Sequence, residues 1–214
     1  MNNLKPRKLL ERPWLAIEIS CAVMATAVAL GLLAMDRSTP PAEPYFPTNI
    51  SRPDYVECLR AMDEPSLFAR QDSVRGEAYR FLWIRSFHDP IAIRVETTRN
   101  DAILRFVRLR RERNGGAMRI VETRAAKLAK QQRDSLTDSL TKARFWQLAT
   151  KEAYEVGTDG SRWILEGTEN SRYHAVDRWS PTMETPQRHL EDYVAACTHF
   201  LKLADLDLQK EKMY

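Results

Sequence analysis

The hydrophobic pattern begins with an apolar segment near the N-terminus. Seventeen consecutive residues from Ile19 to Met35 carry no charge, and Trp14 to Ile17 extend the segment beyond Glu18. Together they cover about 22 residues, or roughly 33 Å of helix, which is enough to cross the hydrocarbon core of a bilayer. Four basic residues precede the segment, and this bias keeps an N-terminus in the cytoplasm. The pattern predicts a cytoplasmic tail at 1–13 and a transmembrane signal anchor at 14–35.

A cleavable signal peptide is the alternative to an anchor. Ala27-Val28-Ala29 has the small-x-small form of a cleavage site, but apolar residues continue after it, which favours the anchor. Residues 36–50 follow, with prolines at 40, 41, 44 and 47. Proline fixes φ and lacks an N–H donor, so this segment predicts an extended stalk. The remaining residues, 51–214, are then an extracytoplasmic domain.

Strand patterns dominate the first half of this domain. A short helix is expected first, because Pro53 stands where the first turn of a helix tolerates proline. Aromatic and β-branched runs then predict four strands in two hairpins, at Tyr79–Phe87, Ile91–Val95, Ile103–Leu109 and Met118–Thr123. Asn114-Gly115-Gly116 supplies the positive-φ residues of a tight turn. These patterns predict an antiparallel meander.

Two helices and a third hairpin complete the pattern. A helix is expected to start at Ser135, a hairpin is expected between Arg162–Gly167 and Tyr173–Trp179, and a last amphipathic helix should follow Thr185-Pro186. The predicted fold class is α+β, with an N-terminal transmembrane helix and then an antiparallel sheet packed on one face by helices.

Composition narrows the function classes without selecting one. The chain of 214 residues is 43% hydrophobic and 29% charged, which excludes wholesale disorder. Three cysteines exclude a four-cysteine zinc site. The sequence contains no HExxH, GxSxG or phosphate-binding glycine motif, and we expect no cofactor and no metal.

The formal charge of +4 is unevenly distributed. Residues 94–130 contain eleven Lys or Arg and four acids, a net +7, whereas the rest of residues 36–214 carries −5. Such a segment can bind anionic headgroups or an anionic cell-wall polymer, and its binding candidates are Arg108, Arg110, Arg111 and Arg113. The alternative is a solvated hairpin whose arginines balance acids elsewhere in the domain. Nucleic acid is not an expected partner, because the domain lies outside the cytoplasm.

Two blocks of sequence carry a family resemblance. They are FLWIRSFHDPI at 81–91 and the pair DGSRWILEG (159–167) and RYHAVDRWSP (172–181). These blocks resemble the signature of a family of bacterial exported proteins to which we can attach no activity. The resemblance covers most of residues 75–214. It implies a protein of the bacterial cell envelope. Together with the N-terminal apolar segment and its basic flank, this predicts an inner-membrane protein with one membrane helix and a periplasmic C-terminal domain.

The predicted hairpin at 162–179 contains the main candidates for catalysis. With a turn centred near Asn170, Glu166 faces His174, and strand alternation places Arg178 on the same face. A histidine beside a carboxylate can act as a general base, and Asp177 is a further candidate. The alternative is a cross-strand polar pair without catalytic function. A shift of the register by one residue would separate Glu166 from His174.

The cysteines allow a disulfide. Cys21 lies in the predicted membrane helix, which leaves Cys58 and Cys197 in a compartment that permits oxidation. Both lie on predicted helices near the two ends of the domain, and domain termini often come close in space. The alternative is two buried thiols that pack as small hydrophobes.

Three functions are consistent with the sequence. The favoured one is a binding or interaction protein of the envelope that contacts anionic lipid, peptidoglycan or an envelope protein. The second is a hydrolase or transferase that acts on envelope material through Glu166, His174 and Asp177. The third is an inhibitor or immunity-type protein that binds an enzyme.

Overall fold

The computed structural model describes residues 43–74, 76–99, 101–112, 117–153 and 159–211. The predicted tail at 1–13, the predicted anchor at 14–35, the first part of the predicted stalk and the candidate Arg113 lie outside these residues. None of the helices within the described ranges combines the length and the apolarity needed to cross a bilayer.

The described chain forms one antiparallel sheet of six strands. The strands are β1 (Glu77–Arg85), β2 (Ile91–Thr97), β3 (Ala102–Arg110), β4 (Arg119–Lys127), β5 (Ser161–Glu169) and β6 (Arg172–Trp179), in the spatial order β4-β3-β2-β1-β5-β6. The first four strands form the predicted meander, and the last hairpin adds to the other side of β1. The antiparallel sheet and the α+β class are confirmed.

Three helices pack on this sheet, and they lie on both of its faces. They are α1 (Pro53–Ala61), α2 (Lys130–Lys142) and α3 (Glu191–Leu203), with a short 3₁₀ turn at Phe145–Gln147. Alternate residues of β1 separate two cores. Phe81 and Trp83 pack in one core with α2 and α3, whereas Leu82 and Ile84 pack in the other with α1. The prediction that helices cover only one face was therefore wrong, because α1 occupies the second face.

Two helices begin at different residues than predicted. Helix α2 begins at Lys130 rather than at Ser135, and its N-cap amide, on Ala129, donates to the Gln132 side chain. Helix α3 begins at Glu191 rather than after Thr185-Pro186. Turns precede it, and His189 takes a positive φ of 53°, which ends the earlier turn before the helix can start.

Candidate functional site

The β5–β6 hairpin has a register one residue away from the predicted one. Glu166 lies opposite Ala175, and Gly167 lies opposite His174. The turn consists of Asn170 and Ser171, whose φ angles are 51° and 58°, and two positive φ values in succession define a two-residue type I′ turn. The predicted pairing of Glu166 with His174 was wrong. Because side chains alternate along a strand, these two residues point to opposite faces of the sheet.

Glu166 belongs to a buried ion pair. The Arg80 guanidinium donates to its Oε1 from Nε at 2.9 Å and from Nη2 at 2.7 Å, and the Tyr173 hydroxyl donates to its Oε2 at 2.9 Å. Both Arg80 and Glu166 are fully buried. Burial raises the pKa of Glu166, and the Arg80 charge opposes that rise. No substrate can reach this carboxylate in the closed core, so its role is structural.

A second carboxylate extends this network across the sheet. Glu64, which follows α1, accepts from Arg80 Nη1 at 3.2 Å and from Arg94 Nε at 2.8 Å. Arg105 Nη1 lies 3.2 Å from the other oxygen of Glu64. Arg80, Arg94 and Arg105 are register partners on three neighbouring strands. Through Glu64, these three arginines hold the segment after α1 against the sheet.

His174 is packed among aromatic rings. Its ring centroid lies 5.2 Å from that of Phe145 and 6.2 Å from that of Trp146. Its Nε2 lies 3.0 Å from the Leu148 carbonyl oxygen, to which it can donate. Burial lowers the pKa of His174. The ring thus holds the loop after the 3₁₀ turn against β6.

Arg178 and Asp177 hold neighbouring segments in place. Arg178 donates to the carbonyl oxygens of Ala149 and Thr150 at 2.7 and 3.2 Å. Asp177 points to the other face, where its Oδ2 accepts a hydrogen bond of 2.9 Å from the Tyr55 hydroxyl of α1. Burial raises the pKa of Asp177. The four candidate catalytic residues therefore do not form one constellation.

The predicted binding arginines differ in what surrounds them. Arg108 is largely neutralised, because its guanidinium contacts Glu211 at 2.6 Å and Glu122 at 3.2 Å. Arg110 is 55% exposed, and its Nε lies 3.5 Å from Asp89. Arg111 is exposed and contacts the Cys58 sulfur at 3.9 Å. The alternative, in which the arginines of the hairpin balance acids of the same domain, thus applies to Arg108. Arg110 and Arg111 are exposed at the surface.

Antiparallel pairing brings further arginines to the same end of the sheet. Strands β1, β3 and β6 finish there, and β2, β4 and β5 begin there. We call this region the arginine end, and it contains Arg52, Arg85, Arg110, Arg111, Arg119 and Arg162. Only part of this group lies in the basic segment 94–130, so the charge count along the sequence missed the rest.

A cavity of about 290 Å³ opens at the arginine end. It lies between the N-terminus of α1, the end of β1 and the start of β5. The described residues that line it include one carboxylate, that of Asp54, and four arginines, which are Arg52, Arg85, Arg111 and Arg162. We call it the arginine cavity. The sequence could not reveal it, because β1 and β5 are separated by three strands and a helix along the chain.

A wider depression of about 700 Å³ adjoins the arginine cavity and shares Ser86 and Arg111 with it. Arg110 and Arg119 line this depression, which we call the rim. Phe87 also lines it and is 71% exposed, the highest value among the exposed large hydrophobic residues. The rim also contains Asp89 and Glu112, so its arginines outnumber its described acids by one, and it combines this positive charge with an exposed aromatic side chain.

The two domain cysteines are free and buried. Cys197 packs with α2 and α3 on one face of the sheet, whereas Cys58 packs with the core under α1 on the other face. The predicted disulfide is absent, because a six-stranded sheet separates the two sulfur atoms. Burial raises the pKa of both thiols, which makes them poor nucleophiles.

Within the described ranges, no group of three or more His, Cys, Asp or Glu side chains is placed to hold a metal ion. Neither a scan against protein-family models nor a search of curated proteins finds a match for the chain. The resemblance to bacterial exported proteins stays a prediction.

Proposed function

We propose that this chain is a membrane-anchored binding protein of the bacterial cell envelope, and that its extracytoplasmic domain docks on anionic lipid through the arginine end. The apolar segment at 14–35 supports the anchor, and the basic residues before it support an N-terminus in the cytoplasm. The observation that carries the proposal is the convergence of arginines from α1 and four strands on one end of the sheet.

The rim has the two features that a lipid surface selects. Arg110 ends β3 and Arg119 begins β4. The two residues are register partners, and both side chains are exposed. Each basic side chain close to an anionic bilayer contributes on the order of 1 kcal/mol. Phe87 lines the rim with them and offers an exposed aromatic ring of the kind found at the headgroup level of a bilayer.

The alternatives lack a comparable surface. The hydrolase hypothesis requires the side chains of Glu166 and His174 on one face of the sheet, whereas they lie on opposite faces. The inhibitor hypothesis requires a surface that fits a protein, and the most exposed large apolar side chain of the described residues, Phe87, lies among arginines. Anionic lipid matches both the charge and the aromatic residue of the rim.

Flotation measures this docking directly. The full chain is held in phosphatidylcholine nanodiscs and mixed with vesicles that contain phosphatidylglycerol, or with vesicles of phosphatidylcholine alone. We expect co-flotation with the anionic vesicles only, and we expect it to weaken as salt is added. Arg110→Gln combined with Arg119→Gln should weaken binding by roughly 30-fold, from about 1 kcal/mol for each charge. Phe87→Ser should weaken it at every salt concentration.

A matched control removes the same charge from the opposite end of the sheet. Lys127 ends β4, Lys130 begins α2, and both are exposed. Lys127→Gln combined with Lys130→Gln should leave flotation unchanged. Equal losses in the two double variants, or no binding by the unchanged protein, would refute the proposal.

A further inference from the structure

We infer that the arginine cavity is a pocket for a single phosphate group. The inference deepens the proposed function and rests on it in treating the arginine end as the binding surface. The two surfaces bind differently: the rim would contact the surface of the bilayer, whereas the arginine cavity would bind one anion.

The charge of the lining is strongly positive. Among the described residues of the lining, four guanidinium groups accompany one carboxylate, a formal charge of +3. Three of the cations have acidic partners in contact: Arg52 lies 3.2 Å from Asp54, Arg85 lies 2.9 Å from Glu211, and Arg162 lies 3.6 Å from Asp177. Neither Glu211 nor Asp177 is among the residues that line the cavity. The described lining itself therefore presents more guanidinium groups than carboxylates, which suits an anion.

The arginines that would contact the anion are held in position. Arg162 is 17% exposed at its side chain, and its Nη1 lies 3.6 Å from the buried Asp177 carboxylate. Arg85 is 1% exposed and donates to the Asp89 carbonyl at 2.6 Å. Arg52 is 46% exposed and contacts Asp54 at 3.2 Å. Two guanidinium groups held by these contacts and one more exposed guanidinium form a cradle for the anion.

Two polar features add to this cradle. Arg52 is the N-cap residue of α1, so the positive end of the helix dipole lies at the cavity. Ser86 also lines it, and its oxygen accepts the Gly160 N–H at 3.1 Å. The Ser86 O–H proton can then be donated to an anion. Both features strengthen binding of an oxyanion with several acceptor oxygens.

The size and the donor geometry of the cavity fit a phosphate group. A volume of about 290 Å³ is at the small end for ligand pockets and suits a headgroup rather than a polymer. Guanidinium groups match phosphate oxygens in a bidentate manner. A phosphate group can occur in a lipid headgroup or in a soluble ester, and the chemistry of recognition is the same for both.

Calorimetric titration of the full chain in a neutral detergent tests the inference, with inorganic phosphate as the probe. We expect saturable binding at one site. Arg52→Gln and Arg162→Gln should each weaken it on the order of tenfold, the loss of one charge-assisted hydrogen bond. Arg60→Gln is the matched control, since Arg60 is exposed on the same helix and lies at another cavity. If the Arg162 variant does not fold, Arg52→Gln alone decides the outcome.

Glycerol phosphate and short-chain phosphatidylglycerol distinguish the sources. Tighter binding of glycerol phosphate identifies the ligand as a phosphate monoester, and tighter binding of phosphatidylglycerol identifies it as a lipid diester. Either result supports the pocket if Arg52→Gln weakens that binding. The inference is overturned if inorganic phosphate does not bind, or if Arg60→Gln weakens binding as much as Arg52→Gln. The rim variants should bind phosphate normally. Failure of vesicle docking alone therefore counts against the proposed function, and failure of phosphate binding alone counts against the pocket.

Discussion

Arg80 on β1 lies directly opposite Glu166 on β5, and the two side chains form an ion pair of 2.7 Å although neither is exposed to solvent. The pair joins the meander to the β5–β6 hairpin at the centre of the sheet. Through Glu64 it also holds the end of α1. Removing one partner of such a pair leaves a buried charge without compensation.

Glu166→Gln should therefore destabilise the fold by about 3 kcal/mol, the cost of leaving Arg80 with one carboxylate fewer. Urea unfolding of the full chain in a neutral detergent, followed by tryptophan fluorescence, measures the free energy of unfolding. Glu57→Gln, at an exposed position on α1, is the control and should leave it unchanged. Equal stability of the Glu166 variant and the unchanged protein would show that the pair is not formed.

His174 makes the fold sensitive to mild acid. Burial lowers its pKa below the ordinary value of 6.5, so the folded state binds fewer protons than the unfolded state in the window just below that value. Stability should then decrease as the pH falls from about 6.5 towards the folded pKa, and this contribution should vanish above 6.5. His199, whose pKa is also lowered by burial, adds to the same slope.

His174→Gln keeps a donor for the Leu148 carbonyl but cannot be protonated. The free energy of unfolding of this variant, measured against pH, should fall less steeply below pH 6.5 than that of the unchanged protein. Above pH 6.5 the difference between the two proteins should be constant. Parallel curves over the whole range would contradict this account of His174.

The cysteines should be found as thiols even in an oxidising compartment. Cys58 and Cys197 belong to cores on opposite faces of the sheet, and the Cα atoms of a disulfide lie within about 7 Å of each other. Mass spectrometry of the chain, alkylated under denaturing conditions and digested without reductant, should show both peptides alkylated. A linked Cys58–Cys197 peptide would require a different arrangement of α1.

Local patterns were sufficient for most of the elements. The alternation of apolar residues and the turn residues placed β1 to β4 within a few positions, because each strand pairs with its neighbour in sequence. The place of β5 beside β1 was not predictable in this way. That contact joins residues far apart in sequence, and no local pattern encodes it.

The two main errors have local causes. The hairpin at 162–179 was predicted with Asn170 at the centre of the turn, whereas the centre lies between Asn170 and Ser171. Serine seldom takes a positive φ, so no local pattern indicated that Ser171 would occupy the second position of the turn. The predicted disulfide failed because the amphipathic pattern of α1 shows that one side is buried but not which face of the sheet receives it.

The anchor is tested by a fusion. A reporter that is active only outside the cytoplasm, fused after Tyr214, should be active, because the basic residues before the apolar segment keep the N-terminus inside. N-terminal sequencing of the mature protein should start near Met1. A mature N-terminus near Leu30 would instead indicate a cleaved signal peptide. An inactive fusion would place the C-terminal domain in the cytoplasm and contradict the proposed topology.

Amide hydrogen exchange of the full chain in phosphatidylcholine nanodiscs, with and without vesicles that contain phosphatidylglycerol, tests the central claim most directly. Docking through the arginine end predicts slower exchange at that end, in residues 85–90, 110–112 and 117–122, and unchanged exchange at the opposite end, in residues 97–99 and 127–133. Slower exchange at the opposite end, or no change anywhere, would contradict the account.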